Sequence, residues 1–378
     1  MRRWLVLLAM FAGLLALAAC AAKEEAPASP APTTTAKPAW EQEWAQLLEA
    51  AKKEGKVAVL GPSGADARKA LVDSFQKKYG IEVEYLGAAA SELVTRIRTE
   101  REAGQYLWDV YIHGTSPAVP ALTKGVKAFD PLEPALILPE AKELKSWRGG
   151  KLEFAEKERQ YFVMSLFNRG TLFVNPNLVK PEEFKSYKDI LDPKWKGKIL
   201  IQDPRVAGPG QATFTFFYRH PELGPDFIRA LGRQEPTITR DYRQQVEWVG
   251  QGRFPLLIGT ADFTVEEMAK QGVPIAVVPP PQLKEGSDVS PANGAVAIFN
   301  RPAHPNAAKV YVNWLLTKEA QTEHARAFGY VSRRADVPTD HLPAWRVPKE
   351  GAIETYSEEM QDFKDKTVIP FVKEVFGP

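Results

Sequence analysis

Strand and helix patterns alternate along most of this chain. Residues 57–60 and 109–112 predict short buried strands, and residues 81–85 alternate apolar with acidic side chains, as in a strand with one wet face. Helical spacing follows each of the first two strands. The first helix has Asp66 as its predicted cap, and the second is a charged helix at residues 91–103. This β-α-β-α-β order predicts a mostly parallel, doubly wound α/β sheet.

The middle of the chain repeats this architecture with a different sequence. Further strands are predicted at residues 198–201, 255–258, 275–278 and 295–299. Helices are predicted at residues 211–219, 225–232, 240–250, 262–271 (with Asp262 as cap), 304–316, 318–328 and, before an apolar tail, 350–364. The aromatic residues predicted to lie in the core here are Phe214, Phe216, Phe217 and Tyr218. Roughly 340 residues exceed a typical single domain, so two domains are expected.

The N-terminal residues predict export and lipidation. Arg2 and Arg3 precede an apolar run at residues 4–17 that is too short for a stable membrane span. The run ends in Leu-Ala-Ala and then Cys20, which resembles the bacterial lipobox. Residues 1–19 are therefore predicted to be a signal peptide and Cys20 a diacylated N-terminus. An ordinary secretory signal is the alternative.

A tether is predicted at residues 20–39, which contain no large apolar side chain and much alanine and proline. Cys20 is the only cysteine, so the mature domain cannot form disulfides or thiolate metal sites. The predicted location is extracytoplasmic, on a membrane anchor in the periplasm or at the cell surface.

Charge excludes one class of partner. The chain has 49 basic and 47 acidic residues, and the signal peptide would remove Arg2 and Arg3. A mature net charge near zero argues against nucleic acid as a partner.

Four segments carry a resemblance to bacterial extracellular solute-binding proteins of the ferric-iron and polyamine-type group. Residues 50–57 (AAKKEGKV) are similar to the opening of that family's first lobe, and residues 189–199 (DILDPKWKGKI) to its entry into the second. Residues 290–298 and 304–309 look like the return to the first lobe, followed by the helix pair that contains residues 314–321.

The resemblance implies a type II periplasmic-binding fold, in which a two-connection hinge joins two doubly wound α/β lobes. Hinge closure would trap a ligand between them. The implied organisation is lobe one at residues 40–165 plus 293–340, lobe two at 166–292, a hinge near 165–174 and 286–293, and a C-terminal helical segment at 341–378 that packs on the lobes. The implied function is to deliver a small solute to the permease subunits of an ABC importer, as a monomer.

Candidate ligand contacts lie where predicted strands end, because open α/β sheets bind ligands outside the carboxyl ends of their strands. Each loop also fits an ordinary βα turn. The contacts predicted from these loops are Ser63, Gly64, Ser91, His113, Thr115, Ser116, Gly210, Gln211, Asp262 and Asn293. Arg169, at the expected hinge, and Arg205, in a glycine- and proline-rich loop, would hold an anionic group with a guanidinium fork. Asp262 could instead accept a ligand amine, which would favour a zwitterion.

Direct iron coordination is not expected. Ferric relatives use two adjacent tyrosines in the second lobe, and the equivalent stretch here, residues 257–264, contains none. Glu92 matches that family's glutamate, but residues 63–66 supply no histidine. We predict no metal site and no cofactor, and leave a ferric complex or a polyamine as alternative ligands.

Two other functions compete with transport. A ligand sensor for a membrane receptor would use the same cleft. A secreted hydrolase is disfavoured because the chain lacks Gly-x-Ser-x-Gly, His-Glu-x-x-His and P-loop motifs, and its five histidines are scattered. His304 and His324 are expected at a helix start or exposed, and no enzymatic activity is predicted.

Replacement of Cys20 by serine should release the protein from membranes, because the acyl chains attach to the thiol. Fractionation of cells into membrane and soluble pools measures the change. A Cys20→Ser protein that stays quantitatively with membranes would place the anchor elsewhere.

Overall fold

A computed structural model describes residues 38–349 and 352–378, and residues from Ala39 onward form one unit by contacts. The predicted signal peptide, Cys20 and nearly all of the predicted tether lie outside the described residues. The strands are β1 (Lys56–Gly61), β2 (Glu82–Gly87), β3 (Val110–His113), β4 (Phe129–Asp130), β5 (Phe162–Val163), β6 (Ser165–Asn168), β7 (Leu172–Val174), β8 (Ile199–Gln202), β9 (Thr237–Thr239), β10 (Leu256–Ile258), β11 (Ala276–Val277), β12 (Val289–Ser290), β13 (Ala295–Phe299) and β14 (Val331–Ser332).

The helices occupy the stretches between these strands. The α-helices are Ala39–Glu54, Ala65–Arg68, Ser74–Tyr79, Ala90–Glu102, Thr115–Ala118, Pro139–Lys142, Pro209–Arg219, Gly224–Arg233, Tyr242–Gly250, Asp262–Lys270, Pro305–Leu315, Lys318–Phe328, Glu358–Phe363 and Ile369–Phe376. A π-helical turn at Lys69–Asp73 joins the second of them to the third, so that the whole stretch runs from one strand to the next.

The first sheet has the order β2-β1-β3-β13-β4, with β5 also paired to β13. The three strands predicted from the N-terminal pattern are parallel: β1 pairs with both β2 and β3. Strand β13 runs antiparallel to β3 and places Ala295 opposite His113. Apolar residues of the strands and of the helices on both faces form the core of this lobe, which we call lobe one.

The second sheet has the order β11-β7-β10-β8-β9 and defines lobe two. Strands β8, β9 and β10 are parallel, whereas β7 is antiparallel to β10 and places Leu172 opposite Ile258. Phe214, Phe216 and Phe217 are buried in this lobe's core, as predicted.

A small third sheet, β12-β6-β14, lies in the passage from one lobe to the other. Strand β6 leaves lobe one just after β5 and enters lobe two just before β7. Strand β12 precedes the return to β13, and Val289 pairs with Asn168 across the two connections. The expected fold of two α/β lobes joined by two connections is confirmed.

The C-terminal segment contacts both lobes. The Glu358 amide donates to the Ala155 carbonyl of lobe one at 2.8 Å. Phe371 packs edge-on against Tyr218 of lobe two, with 5.2 Å between the ring centroids. A third crossing between the lobes therefore accompanies the two hinge connections.

Four sequence-based expectations are wrong. Asp66 does not cap its helix, because Gly64 occupies the cap position without a side-chain bond. Asp262 is not a cap either, since its carboxylate accepts the distant Gly170 amide. The last helix begins at Glu358, after a Ser357 cap, and the apolar tail is itself helical. His324 is fully buried rather than exposed, whereas His304 does precede a helix.

Of the described helices, none is long and apolar enough to cross a membrane.

Buried His324 makes the fold sensitive to acid. Both ring nitrogens lack a hydrogen-bond partner among the described residues, and the ring packs on Phe328 with 4.6 Å between centroids. Burial lowers the pKa of His324 from 6.5 to about 3. Between about pH 6.5 and pH 3, His324 is therefore protonated in the unfolded chain but neutral in the folded protein. The free energy of unfolding falls as the pH drops through this range.

His324→Phe should remove this sensitivity. Between pH 7 and pH 4.5 the wild type should lose about 2 to 3 kcal/mol more of unfolding free energy than the variant. Urea unfolding at both pH values measures the difference. Parallel losses in the two proteins would show that His324 is not neutral in the folded state.

Candidate functional site

Several residues predicted to contact the ligand lie at one edge of the lobe-one sheet. Because β1 and β3 are parallel and β13 is antiparallel to them, the ends of β1 and β3 and the start of β13 share an edge. The predicted residues that follow or precede these strand ends are Ser63, Gly64, His113, Thr115, Ser116 and Asn293, with Ser91 in the helix after the parallel strand β2.

The side chains at this edge differ in accessibility. Ser63, Gly64 and Ser91 are exposed, whereas Thr115 is buried in the first turn of its short helix. Gly64 has φ of 123°, a left-handed conformation that suits glycine and lets the helix start at Ala65. Open loops of small residues thus form the lobe-one edge.

His113 is held by the main chain at both ring nitrogens. The Gly114 amide donates to Nδ1 at 2.9 Å, so Nε2 carries the proton and donates to the Ala88 carbonyl at 3.2 Å. Burial lowers the ring's pKa to about 4, which keeps it neutral at pH 7. These contacts give His113 a structural role, because they hold the loop that leads to Ser91. Neither ring nitrogen is left to make the ligand contact that was predicted for His113.

The corresponding edge of lobe two collects the remaining predicted residues. The parallel strands β8 and β10 end here, and the antiparallel strand β7 begins here. Arg169, Arg205, Gly210, Gln211 and Asp262 all lie within nine residues of these strand ends. Strand β6, four residues long, connects this edge to the lobe-one edge.

The helix Pro209–Arg219 begins at this edge with a tightly fitted loop. Gly208 has φ of 148°, and a side chain there would come within 2.9 Å of the Tyr242 hydroxyl oxygen. The Gly210 amide donates to the Gln202 side-chain oxygen. Tyr242 and Gln202 therefore fix the N-terminus of this helix, whose dipole favours negative charge.

Arg205 is committed to the protein itself. Its Nε donates to Asp203 Oδ1 at 2.7 Å, and its Nη1 donates to the carbonyls of Gly377 and Pro378 at 3.2 and 2.8 Å. The prediction that Arg205 has a free guanidinium group to hold an anion is therefore wrong. Arg205 ties the loop after β8 to the end of the C-terminal helix.

Arg169 is buried where the two hinge connections meet. Its Nη1 donates to Asp288 Oδ2 at 3.2 Å and to the Pro209 carbonyl at 3.1 Å. The Arg169 Nη2 and Asp288 Oδ1 atoms are buried and have no hydrogen-bond partner among the described residues. A buried guanidinium nitrogen without a partner is costly, so this site favours an acceptor that reaches it.

Asp262 links Arg169 to Arg346, which was not among the residues predicted from the sequence. Its Oδ1 accepts the Gly170 amide at 2.7 Å and lies 3.6 Å from Arg346 Nη1, while its Oδ2 lies 3.9 Å from Arg169 Nε. Arg346 also contacts Glu266. Burial raises the pKa of Asp262, and the two arginines oppose that shift.

Arg346 reaches this position from the C-terminal segment. Its guanidinium lies 4.9 Å from the Phe167 ring, which stacks on Tyr330 with 5.1 Å between centroids. Residue 346 is 84 positions from Asp262, and no motif surrounds it, so sequence reasoning had no signal for this contact.

Comparisons with known proteins bear on the family of this chain. The family model of bacterial extracellular solute-binding proteins matches residues 70–352, most of the chain. The chain belongs to that family. The resemblance stated from the sequence is thereby confirmed, and with it the function as the extracytoplasmic solute-binding component of an ABC importer.

Two curated relatives match the chain at 25% and 28% sequence identity. An uncharacterized protein of Haemophilus influenzae is 25% identical over 262 residues, which cover 66% of this chain and 69% of that protein. Iron uptake protein A1 of Synechocystis sp. is 28% identical over 142 residues, 35% of this chain and about a third (33%) of that protein.

Solved structures share the fold. Ferric iron-binding protein A of Mannheimia haemolytica, in an open conformation, has a TM-score of 0.66 at 18% identity and covers 86% of this chain and 99% of its own. The Trichodesmium protein in complex with iron and citrate has a TM-score of 0.62 at 17% identity, covering 86% of this chain and 100% of its own. AfuA of Actinobacillus pleuropneumoniae, with fructose-6-phosphate bound, has 0.60 at 15% identity, covering 84% and 99%.

Asp288→Asn should destabilise the solute-binding protein by about 3 kcal/mol, because it leaves the Arg169 charge buried beside a weaker partner. Chemical unfolding followed by tryptophan fluorescence measures the change. Asp226→Asn, in an exposed pair with Arg229, is the matched control and should cost at most about 0.5 kcal/mol. Equal effects of the two substitutions would contradict a buried ionic pair at the hinge.

Proposed function

We propose that this chain captures a small organic anion in the cleft between its lobes and releases it to a membrane permease. Arg169 would bind the anionic group, assisted by the positive end of the dipole of the helix Pro209–Arg219. Ser63, Gly64 and Ser91 would contact the ligand from lobe one when the hinge closes. The protein performs no turnover in this proposal.

One observation carries the proposal: Arg169 is buried, yet its Nη2 has no acceptor among the described residues. The Pro209 carbonyl, 3.1 Å from Nη1, places the guanidinium beside the helix N-terminus. A guanidinium and the positive end of a helix dipole both stabilise the negative charge of a carboxylate, phosphonate or phosphate.

An anion fits better here than a ligand amine at Asp262. The Asp262 carboxylate already accepts the Gly170 amide and has guanidinium nitrogens 3.6 and 3.9 Å away. An ammonium group would have to displace one of those arginines. Asp262 therefore supports the site by orienting Arg169.

The remaining parts of the proposal concern organisation. We assign lobe one to residues 40–165 and 293–340, lobe two to residues 166–292, and the C-terminal segment to residues 341–378. Cys20 would carry the lipid anchor, and the protein would act as a monomer that docks on permease subunits.

A ferric complex is a second candidate ligand. Two relatives named above carry iron in their names, and one solved relative holds iron with citrate. In this chain Thr260, Ala261 and Asp262 follow β10, and the Thr260 hydroxyl donates to Gln245 at 2.5 Å. Iron would therefore enter through the anion that chelates it rather than through protein tyrosinates.

A thermal-shift screen with acetate, citrate, ferric citrate, methylphosphonate, glutamate, spermidine and glucose tests the proposal. A ligand at roughly a hundred times its Kd should stabilise the fold by about 2.7 kcal/mol. Arg169→Lys keeps a charge beside Asp288 but loses the planar fork, and should weaken binding of the anionic hits at least tenfold, about 1.4 kcal/mol.

Arg326→Lys, in an exposed pair with Asp340, is the control and should bind as the wild type does. Arg205→Lys should also bind as the wild type, because Arg205 is held by Asp203. Unchanged anion affinity in Arg169→Lys, or hits confined to glucose and spermidine, would remove the anion site. A one-to-one visible charge-transfer band with ferric citrate would instead show tyrosinate coordination.

A further inference from the structure

Phe263 is a large apolar side chain left in solvent beside the proposed anion site. It is 65% exposed, more than the other exposed large hydrophobic residues of the described chain, which are Leu107, Leu144 and Leu178. Contact with water is unfavourable for an aromatic ring, and contact with a flat apolar surface is favourable.

The fold fixes where this ring stands. Phe263 is in the first turn of the helix Asp262–Lys270, which starts four residues after β10 ends at the cleft edge of lobe two. The preceding residue, Asp262, lies 3.9 Å from Arg169. Phe263 is therefore the next residue after one that lies beside Arg169, and its Cα is about 3.8 Å from the Cα of Asp262.

The neighbours of Phe263 on its helix face are engaged elsewhere. Glu266 pairs with Arg346, and Glu267 lies 3.3 Å from Arg243. Residues three and four positions along a helix flank the first one, so these pairs lie on either side of the ring. The polar groups next to Phe263 are therefore satisfied, and the ring itself is the part of this face left to bind something.

The facing loops of lobe one, after β1 and β2, contain none of the exposed large hydrophobic residues of the described chain. Their exposed residues are small or polar: Ser63, Gly64, Ala65, Asp66, Ala89 and Ser91. Closure of the hinge would bring polar loops, not a hydrophobic patch, toward the ring. A ligand with an apolar face would supply what lobe one lacks.

From this arrangement we propose that the ligand is an organic anion with an unsaturated or aromatic ring, which stacks on Phe263 while its anionic group binds Arg169. The inference rests on the anion site proposed above and adds the chemistry of the ligand's body. Phe263 thus selects ring-bearing anions over small anions of the same charge.

Calorimetric titrations with phenylphosphonate and methylphosphonate separate the two parts of the ligand. The wild type should bind phenylphosphonate about tenfold more tightly, since ring stacking adds to apolar burial. Phe263→Ala should remove this preference and leave methylphosphonate affinity unchanged. Phe263→Leu should keep part of it, because the apolar contact remains without the ring.

Leu178→Ala is the matched control. Leu178 is 54% exposed and follows β7, at the opposite edge of the same sheet, so its removal should leave the phenylphosphonate preference intact. Far-UV circular dichroism and thermal unfolding should show that each exposed-site variant folds as the wild type does.

The outcomes distinguish the two proposals. If both phosphonates bind equally in the wild type, or if Phe263→Ala keeps the preference, the ring inference is wrong while the anion site stands. If neither phosphonate binds the wild type, the anion site fails and this inference fails with it.

Discussion

The buried pair between Arg169 and Asp288 is the interaction on which the rest of the structure depends. The two residues lie on the two different connections between the lobes, and they bond through both the side chains, at 3.2 Å, and the main chain, at 3.1 Å. Thr355 and Lys364 of the C-terminal segment join them: the Thr355 hydroxyl donates to Asp288 at 3.3 Å, and Lys364 donates to the Thr355 carbonyl. All three crossings between the lobes meet at this one point.

Burial makes the charged groups of this cluster difficult to separate. Charges removed from water interact strongly, and separating them inside the protein is costly. Burial lowers the pKa of Lys364 to about 8, whereas Asp288 opposes the shift. A closing motion that keeps this cluster intact would therefore cost less than one that separates it. In the proposed function, a ligand group at Arg169 would act beside the cluster that joins the lobes, where a change in contacts can alter their relative orientation.

Periodicity sufficed to predict the parts of the fold that local sequence controls. Residues 57–60 and 295–299 alternate or run apolar as strands do, and both form strands of lobe one. The predicted site loops lie at the sheet edges because strand ends are local features too. Asp262 shows the limit: its partner Gly170 is 92 residues away, and a local capping rule cannot anticipate that bond. Arg346 and buried His324 were missed for the same reason, since only tertiary packing gives them their surroundings.

Charge balance within the cluster constrains how an anion is recognised. The three basic groups Arg169, Arg346 and Lys364 face the three acidic groups Asp262, Asp288 and Glu266. A cluster without net charge exerts little long-range attraction, so an anion gains affinity only from donors within hydrogen-bonding distance. The affinity that such donors provide depends more on the shape and placement of the ligand than on its total charge. In the proposed site, the body of the ligand would therefore decide which of several anions is retained.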